Sequence, residues 1–319
     1  MSSCNDKLYN MKPLLVVILG PTAVGKTELT LLLAERMKCP VLNCDSRQIY
    51  NGMCIGTASP DKEQLSRVKH YFVGKLALEE YYSAAMYEQD VLALTSELFR
   101  KHDALLLSGG SMMYIDAVCN GIDDIPKVDD EVRDSLRKRL ESEGLDALLE
   151  ELRLLDPVHY ETVDRKNAKR VVHALEVCYS TGKPYSSFLT RNTLRSNDTT
   201  ARSADRAFRI LKIGLERPRD ELFARINARV DKMIEAGLLD EAASLYQRRG
   251  LNALNTVGYK EMFKVIDDEW DLKKATERLK KNTRVYAKKQ MTWFMHDKDV
   301  HWFHPDETEN IWTLISENI

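Results

Sequence analysis

The run Gly20-Pro21-Thr22-Ala23-Val24-Gly25-Lys26-Thr27 constrains this chain more than any other stretch. It fits G-x-x-x-x-G-K-[ST], a glycine-rich turn that cradles phosphates. Leu14 to Leu19, just before it, is a short apolar run of the kind that forms a buried strand. Glu28 to Met37, just after it, reads as a helix with Leu29, Leu32 and Leu33 on one face. Strand, turn and helix start thus follow in the order the motif needs. Backbone N–H groups of such a turn converge on one point, and the helix dipole favours negative charge there. Lys26 adds a point charge. Thr27 adds a hydroxyl for a Mg²⁺ ion or a phosphate oxygen. The motif specifies a polyphosphate and leaves open whether a nucleotide carries it.

Further strand signals put the chain in the α/β class. The expected core is a parallel sheet like that of P-loop nucleoside-triphosphate hydrolases, with an all-helical insertion. Residues 40–45, 70–73, 104–107 and 208–215 read as strands, and 82–100 as a helix with Ala85, Leu92, Leu94 and Leu98 buried. In open α/β sheets ligands bind beyond the carboxyl ends of the strands. Asp45 closes the second strand and so falls on the same rim as the P-loop. It reads equally as an acid facing the ligand and as the N-cap of a helical turn from Ser46. The strand at 104–107 closes on Ser108-Gly109-Gly110-Ser111. Nucleoside-triphosphate hydrolases usually carry an Asp there to hold Mg²⁺. Its absence implies that the phosphate ligand is not simply hydrolysed. Ser111 supplies a hydroxyl at this point, or the segment is a plain glycine turn.

From Gly121 the strand signals fade. Residues 130–151 read as helical, with Leu136, Leu140, Leu145, Leu148 and Leu149 on the apolar side, and 167–181 as a second helix with Val171, Val172, Ala174, Leu175 and Val177. The boundaries that follow are core at 12–119, helical insertion at 120–205, and core again at 206–319. Residues 1–11 are polar and expected to fray, and Ser196 to Thr200 is expected to be a loop. A helix is expected at 219–236 with Leu222, Ile226, Val230 and Met233 on one face. Residues 272–296 form a basic helix that includes Lys280, Lys281, Arg284 and Lys288, interleaved with Tyr286, Trp293 and Phe294. Such a helix suits a nucleic-acid backbone and unstacked bases, or is a solvated basic face. A net charge of −2 and a pI of about 6.4 announce no nucleic-acid binder, so RNA binding must rest on local basic faces. The six cysteines have no metal-ligand spacing and read as reduced thiols, mostly packing. No apolar run reaches the ~18 residues of a membrane span. Met1 to Met11 lacks the apolar core of a secretory signal, so a cytoplasmic protein is expected.

Taken together, these motifs resemble those of the bacterial tRNA dimethylallyltransferases, also called tRNA isopentenyltransferases. The likeness runs from about Leu14 to Phe303. It is carried by GPTAVGKT at 20–27, DSRQIYNGMCIGTASP at 45–60, SGGSMMY at 108–114 and the DDEVR run ending at Arg133. KRVVHALEV at 169–177, RPRDELFARI at 217–226, VGYKE at 257–261 and TRVYAKKQMTWF at 283–294 continue it. The resemblance implies transfer of the dimethylallyl group of dimethylallyl diphosphate onto the exocyclic N6 of an adenosine in tRNA, next to the anticodon on its 3′ side. It implies a P-loop core whose helical insertion grips the anticodon stem-loop, and a monomer. Lys26, Thr27 and Mg²⁺ would bind the leaving diphosphate, with Arg219 beside it. Asp45 would be the general base, and Ser111 would contact the adenosine or the diphosphate. Asp45, Ser46, Arg47, Gln48, Ser111, Arg133, Lys169, Arg170, His173, Gly258, Tyr259 and Lys260 would face the tRNA. Lys280, Lys281, Arg284 and Lys288 would follow its phosphates, and the target base would flip from its stack.

The chain departs from the family pattern at Ser59, His173, Met86-Tyr87, Lys289 and Met295-His296. Ser59 and the last two bear on phosphate contacts. Lys26, Thr27, Asp45 and Arg219 keep the pattern. An adenylate isopentenyltransferase shares the P-loop and the acid, but the insertion and the basic helix favour tRNA. A P-loop small-molecule kinase would need the strand-end acid, and a non-catalytic RNA-binding protein would not need Lys26 with Asp45.

Overall fold

The computed structural model describes residues 12–123, 125–126, 128–189 and 207–319. The expectations for residues 1–11, which include Cys4, and for Ser196 to Thr200 lie outside the described residues, as does the boundary drawn at 205. The described residues form two compact units. One combines residues up to Asn120 with those from 207 onward, and the other begins at Gly121.

The first unit is built on a sheet. Its strands are β1 (Leu14–Leu19), β2 (Val41–Cys44), β3 (His70–Tyr71), β4 (Ala104–Gly109), β5 (Arg209–Leu215) and β6 (Val300–Phe303). They pair in the order β3-β2-β4-β1-β5-β6, and every pairing is parallel. β1, β2 and β4 are buried along their whole length, as continuous apolar runs in a sheet covered on both faces must be. All carboxyl ends fall on one rim. That rim carries Gly20, Asp45, Gly110 and Glu216. The edge strand β6 is only four residues long, too short for a period to mark it in the sequence, and three of the four are partly or fully exposed.

Helices α1 (Lys26–Met37), α2 (Lys62–Arg67), α3 (Ala84–Leu98) and α4 (Met112–Asn120) follow β1 to β4 in the chain. In α1 Leu31 is buried and Leu32 is 38% exposed, so the apolar face is rotated from the expected one. In α3 the buried stripe is Tyr87, Val91, Thr95 and Leu98, and Ala85, Leu92 and Leu94 are only half-buried. Tyr87 is chosen because its ring stacks on Tyr114 at 4.4 Å and its hydroxyl donates to the Asn43 carbonyl at 2.9 Å.

The second unit is helical: α5 (Asp130–Glu143), α6 (Leu145–Leu155), α7 (Pro157–Thr162) and α8 (Ala168–Thr181). The single helix expected at 130–151 is two, because Gly144 takes φ 84° between them. Leu136, Leu148, Leu152, Val171 and Leu175 form a separate core there. Asp156 is fully buried, and its carboxylate is satisfied by the N–H of His159 at 3.0 Å and the N–H and hydroxyl of Ser186 at 2.6 and 2.7 Å.

After β5 the first unit resumes with α9 (Arg219–Glu235), α10 (Leu238–Leu245), α11 (Tyr259–Ile266), α12 (Leu272–Phe294) and, beyond β6, α13 (Thr308–Ser316). Among the described residues no helix is long and apolar enough to cross a membrane. The cysteines at 39, 44, 119 and 178 are buried and Cys54 is exposed.

Leu148 is wholly buried and Leu154 is 75% exposed on the same helix. Leu148→Ala is expected to cost about 2–5 kcal/mol, and Leu154→Ala less than about 0.5 kcal/mol. Denaturant titration of both variants checks this. Equal costs would mean that the core face of α6 is wrongly assigned.

Candidate active site

A cavity of about 1080 Å³ opens on the rim of the sheet, and Thr22, Lys26, Thr27, Asp45, Ser46, Arg47 and Gln48 line it. The P-loop turn sits between β1 and α1, with Ala23 at φ 65° and Gly25 at φ 120°. Its carbonyls are held from outside. Arg217 donates to the Val24 carbonyl at 2.7 Å, and Arg225 to the Ala23 carbonyl at 2.9 Å. Arg229 donates to the Thr22 hydroxyl at 3.0 Å. The Lys26 ammonium donates to the carbonyls of Gly20 and Pro21 at 2.9 and 2.7 Å. Loss of water around that ammonium, and then the charge of Arg229, pull its pKa down to about 7, against the charge of Asp45. Burial likewise pulls the Arg229 guanidinium down.

Asp45 carries both roles read from its position. Its Oδ1 accepts from the N–H groups of Arg47 at 2.8 Å and Gln48 at 3.2 Å, which caps the turn that follows β2. Its Oδ2 has no hydrogen bond among the described residues, and the residue lines the cavity. The neighbouring side chains build the rim. Ser111 is buried, and its hydroxyl accepts from the Ser46 N–H at 2.8 Å. Arg47 donates to the carbonyls of Asn252 and Ala253 at 2.8 and 3.2 Å. Gln48 donates to the carbonyls of Thr57 and Ala58, both at 3.0 Å. The loop at 54–56 is fixed by Glu241, whose carboxylate accepts from three successive N–H groups at 2.8–3.0 Å and from the Tyr259 hydroxyl at 2.7 Å.

Several expected site residues are placed otherwise. Arg219 is exposed at the start of α9, with its guanidinium 5.2 Å from the Phe223 ring, and does not line the cavity. Arg225 and Arg229, further along α9, line it instead. The sequence places all three on one amphipathic helix, and packing against the loop decides which of them face the cavity. Tyr259 is fully buried against Gly56, where a Cβ would lie 2.6 Å from its ring, so it is packing rather than a surface for a ligand. Lys260 lines the cavity, and the Gly258 N–H caps onto Glu261 at 2.8 Å. Lys280 is tied to Asp231 at 2.8 Å and to Glu277 at 3.5 Å. Lys281 is exposed. Arg284 and Lys288 stand 5.9 and 5.5 Å from the Phe223 ring, so with Arg219 three cations surround one aromatic ring. None of the three makes an ion pair among the described residues. Within the helical unit, Arg133 and His173 converge on Glu176 at 3.9 and 3.3 Å, and Lys169 and Arg170 are exposed at the start of α8.

The site's chemistry is that of an anion cradle with one acid beside it. Among the described residues no group of three or more His, Cys, Asp or Glu is placed to hold a metal. The Thr27 hydroxyl is a hard oxygen donor on the cavity wall, which suits a Mg²⁺ ion that takes its other ligands from phosphate and water.

Residues 48–297 match the family model described as IPP transferase. The chain is 56% identical over 305 residues to tRNA dimethylallyltransferase 1 of Phocaeicola vulgatus, covering 96% of this chain and 98% of that one. It is likewise 56% identical to tRNA dimethylallyltransferase 2 of Parabacteroides distasonis, covering 96% and 99%. Among solved structures, it is similar to the full-length tRNA isopentenylpyrophosphate transferase of Bacillus halodurans (34% identity, TM-score 0.67, covering 96% and 97%). It is also similar to a eukaryotic dimethylallyltransferase acting on tRNA (25% identity, TM-score 0.75, covering 92% and 74%).

An anion in the P-loop would push the Lys26 pKa back up from about 7. Between the free and bound pKa values the complex holds the extra proton, so affinity falls as pH rises above about 7. Inorganic diphosphate titrated calorimetrically in buffers of different ionisation heat, at pH 8, is expected to show more proton uptake with the native chain than with Lys26→Met. Equal uptake by the two would remove Lys26 as the source.

Proposed function

The chain belongs to the IPP transferase family, and from that premise we propose that it transfers the dimethylallyl group of dimethylallyl diphosphate to N6 of the adenosine 3′-adjacent to the anticodon of a tRNA. One observation carries the reading. Lys26, Thr27, Asp45 and Arg229 line one cavity, and β4 ends there in Gly109 and Gly110 rather than in an acid. A cradle without the strand-end acid suits a diphosphate that departs rather than a phosphoryl group that is attacked.

In this reaction the C–O bond between the allylic carbon and the diphosphate breaks, and a bond from N6 to that carbon forms. Lys26, Arg229 and the loop N–H groups take up the charge that grows on the departing diphosphate. Thr27 would hold a Mg²⁺ ion, which would supply further neutralisation of that charge. The adenine amine must lose a proton as it bonds, and the Asp45 carboxylate accepts it. The turn N–H groups hold Asp45 by Oδ1 and leave Oδ2 for that proton. The target base leaves its stack to reach the cavity. Arg219, Arg284 and Lys288, the unpaired cations around Phe223, follow the RNA phosphates.

The decisive experiment supplies labelled dimethylallyl diphosphate and Mg²⁺ with unmodified tRNA or with AMP. Label is expected in tRNA alone. Label in AMP alone would overturn the RNA part of the reading, and label in neither would overturn the reaction. Asp45→Asn is expected to keep tRNA affinity and to lower turnover by about 10²–10⁴-fold. Near-native turnover would exclude Asp45 as the base.

Arg284→Ala and Lys288→Ala are each expected to weaken tRNA binding and to reduce its salt slope by about 1. Lys280→Ala, whose cation is already paired with Asp231, is expected to leave the slope unchanged. The reverse pattern would move the RNA to another face of α12.

A further inference from the structure

We propose that Gln290 is a positioning residue that sets the shape of the phosphate cradle from the basic helix. It lies on α12 and is 2% exposed. Its Oε1 accepts from the Thr22 N–H at 2.9 Å, and its Nε2 donates to the Gly110 carbonyl at 2.8 Å. One side-chain amide therefore ties the turn after β1 to the turn after β4. These are the two walls between which the diphosphate sits, and the inference rests on that reading of the cavity.

The chemistry of the position is specific. The bridge needs an acceptor and a donor on one planar, neutral group, and a carboxamide supplies both. Charge is excluded by the neighbours. A Cβ on Gly110 would lie 2.5 Å from Gln290 Nε2 and 3.7 Å from Lys26 Nζ, so amide and ammonium share one corner of the site. A carboxylate there would face the Gly110 carbonyl and stand where the ligand's negative charge must come. The same distance explains Gly110: any side chain would displace the amide from its carbonyl.

Gln290 also explains how the helix and the loop keep a fixed relation. Leu279, Asn282, Thr283 and Tyr286 precede it along the same helix and line the same cavity. Asn282 is itself fixed, donating to Glu261 at 2.6 Å. A shift of α12 along its axis would carry the amide away from both turns. The register of the helix that bears Arg284 and Lys288 is thereby passed to the loop that holds the diphosphate.

The test uses the full chain as native protein, Gln290→Leu and Gln290→Glu, with inorganic diphosphate plus Mg²⁺ as the probe. Affinity is measured by calorimetry from pH 6 to 8.5, with tRNA affinity and a thermal melt as controls. Gln290→Leu is expected to weaken diphosphate binding at least about tenfold, a lost buried hydrogen-bond pair, with tRNA affinity within about threefold. Gln290→Glu is expected to be as weak at pH 8.5 and to recover relative to the native chain as pH falls. A neutral carboxylic acid both donates to the Gly110 carbonyl and accepts from the Thr22 N–H, as the amide does. A residue that only fills space would tolerate Leu, which keeps much of the volume of Gln without its donor and acceptor. A folded Leu variant that binds diphosphate within twofold of native would overturn the inference. If the Leu variant does not fold, Gln290→Met, which has a similar length and no amide, is judged by the same criterion. A native chain that binds no diphosphate would fail the reading of the cavity first, and the inference with it.

Discussion

A loop that points its N–H groups at one spot must turn its carbonyls the other way, and each carbonyl then needs a donor. Most of this site follows from that requirement. Lys26 meets Gly20 and Pro21, Arg225 meets Ala23, and Arg217 meets Val24. The donors are cations, so the same residues that hold the loop in shape also raise the positive potential inside it. Holding several cations close together out of water is costly, and Lys26 registers the cost as a pKa of about 7. Arg217 is paired from behind by Glu221 and Asp306.

The sequence was most legible where one local pattern fixes one local structure. β1, the P-loop and α1 follow from an apolar run, a glycine motif and a leucine-rich helical run. Asp45 was placed on the rim by strand position alone. The helical unit was legible as a loss of strand signals, although Gly144 split one expected helix into two. What was not legible depends on contacts between distant segments. Arg219 and Arg229 belong to one helix, and only packing against the loop decides which faces the cavity. Tyr259 looks like a recognition residue in a glycine-flanked turn, yet Glu241 and Gly56 hold it in the core. Gln290 gives no local signal, because both of its partners are backbone groups far away in the chain.

Charge is sorted in the same manner. The chain carries a formal net charge of −2, and its basic helix gives up Lys280 to Asp231 within the protein. Arg219, Arg284 and Lys288, none of them ion-paired among the described residues, gather around Phe223. A weakly charged whole can thus present a concentrated basic face, because an aromatic ring keeps guanidinium and ammonium groups together without neutralising them.

The braces of the P-loop have a consequence for how the molecule comes into being. The loop is synthesised early, but its hydrogen-bonding partners are encoded late: Arg217 lies 193 residues beyond Val24, and Gln290 lies 268 residues beyond Thr22. As the chain leaves the ribosome, the first strand and its glycine turn emerge long before the groups that satisfy them. The helical unit must be made in between. An early fragment thus holds the motif without its architecture, and competence to hold phosphate arrives only as the last parallel strands close the sheet. Formation of this site is a late, long-range event of the kind that slows folding in sheets of high sequence separation.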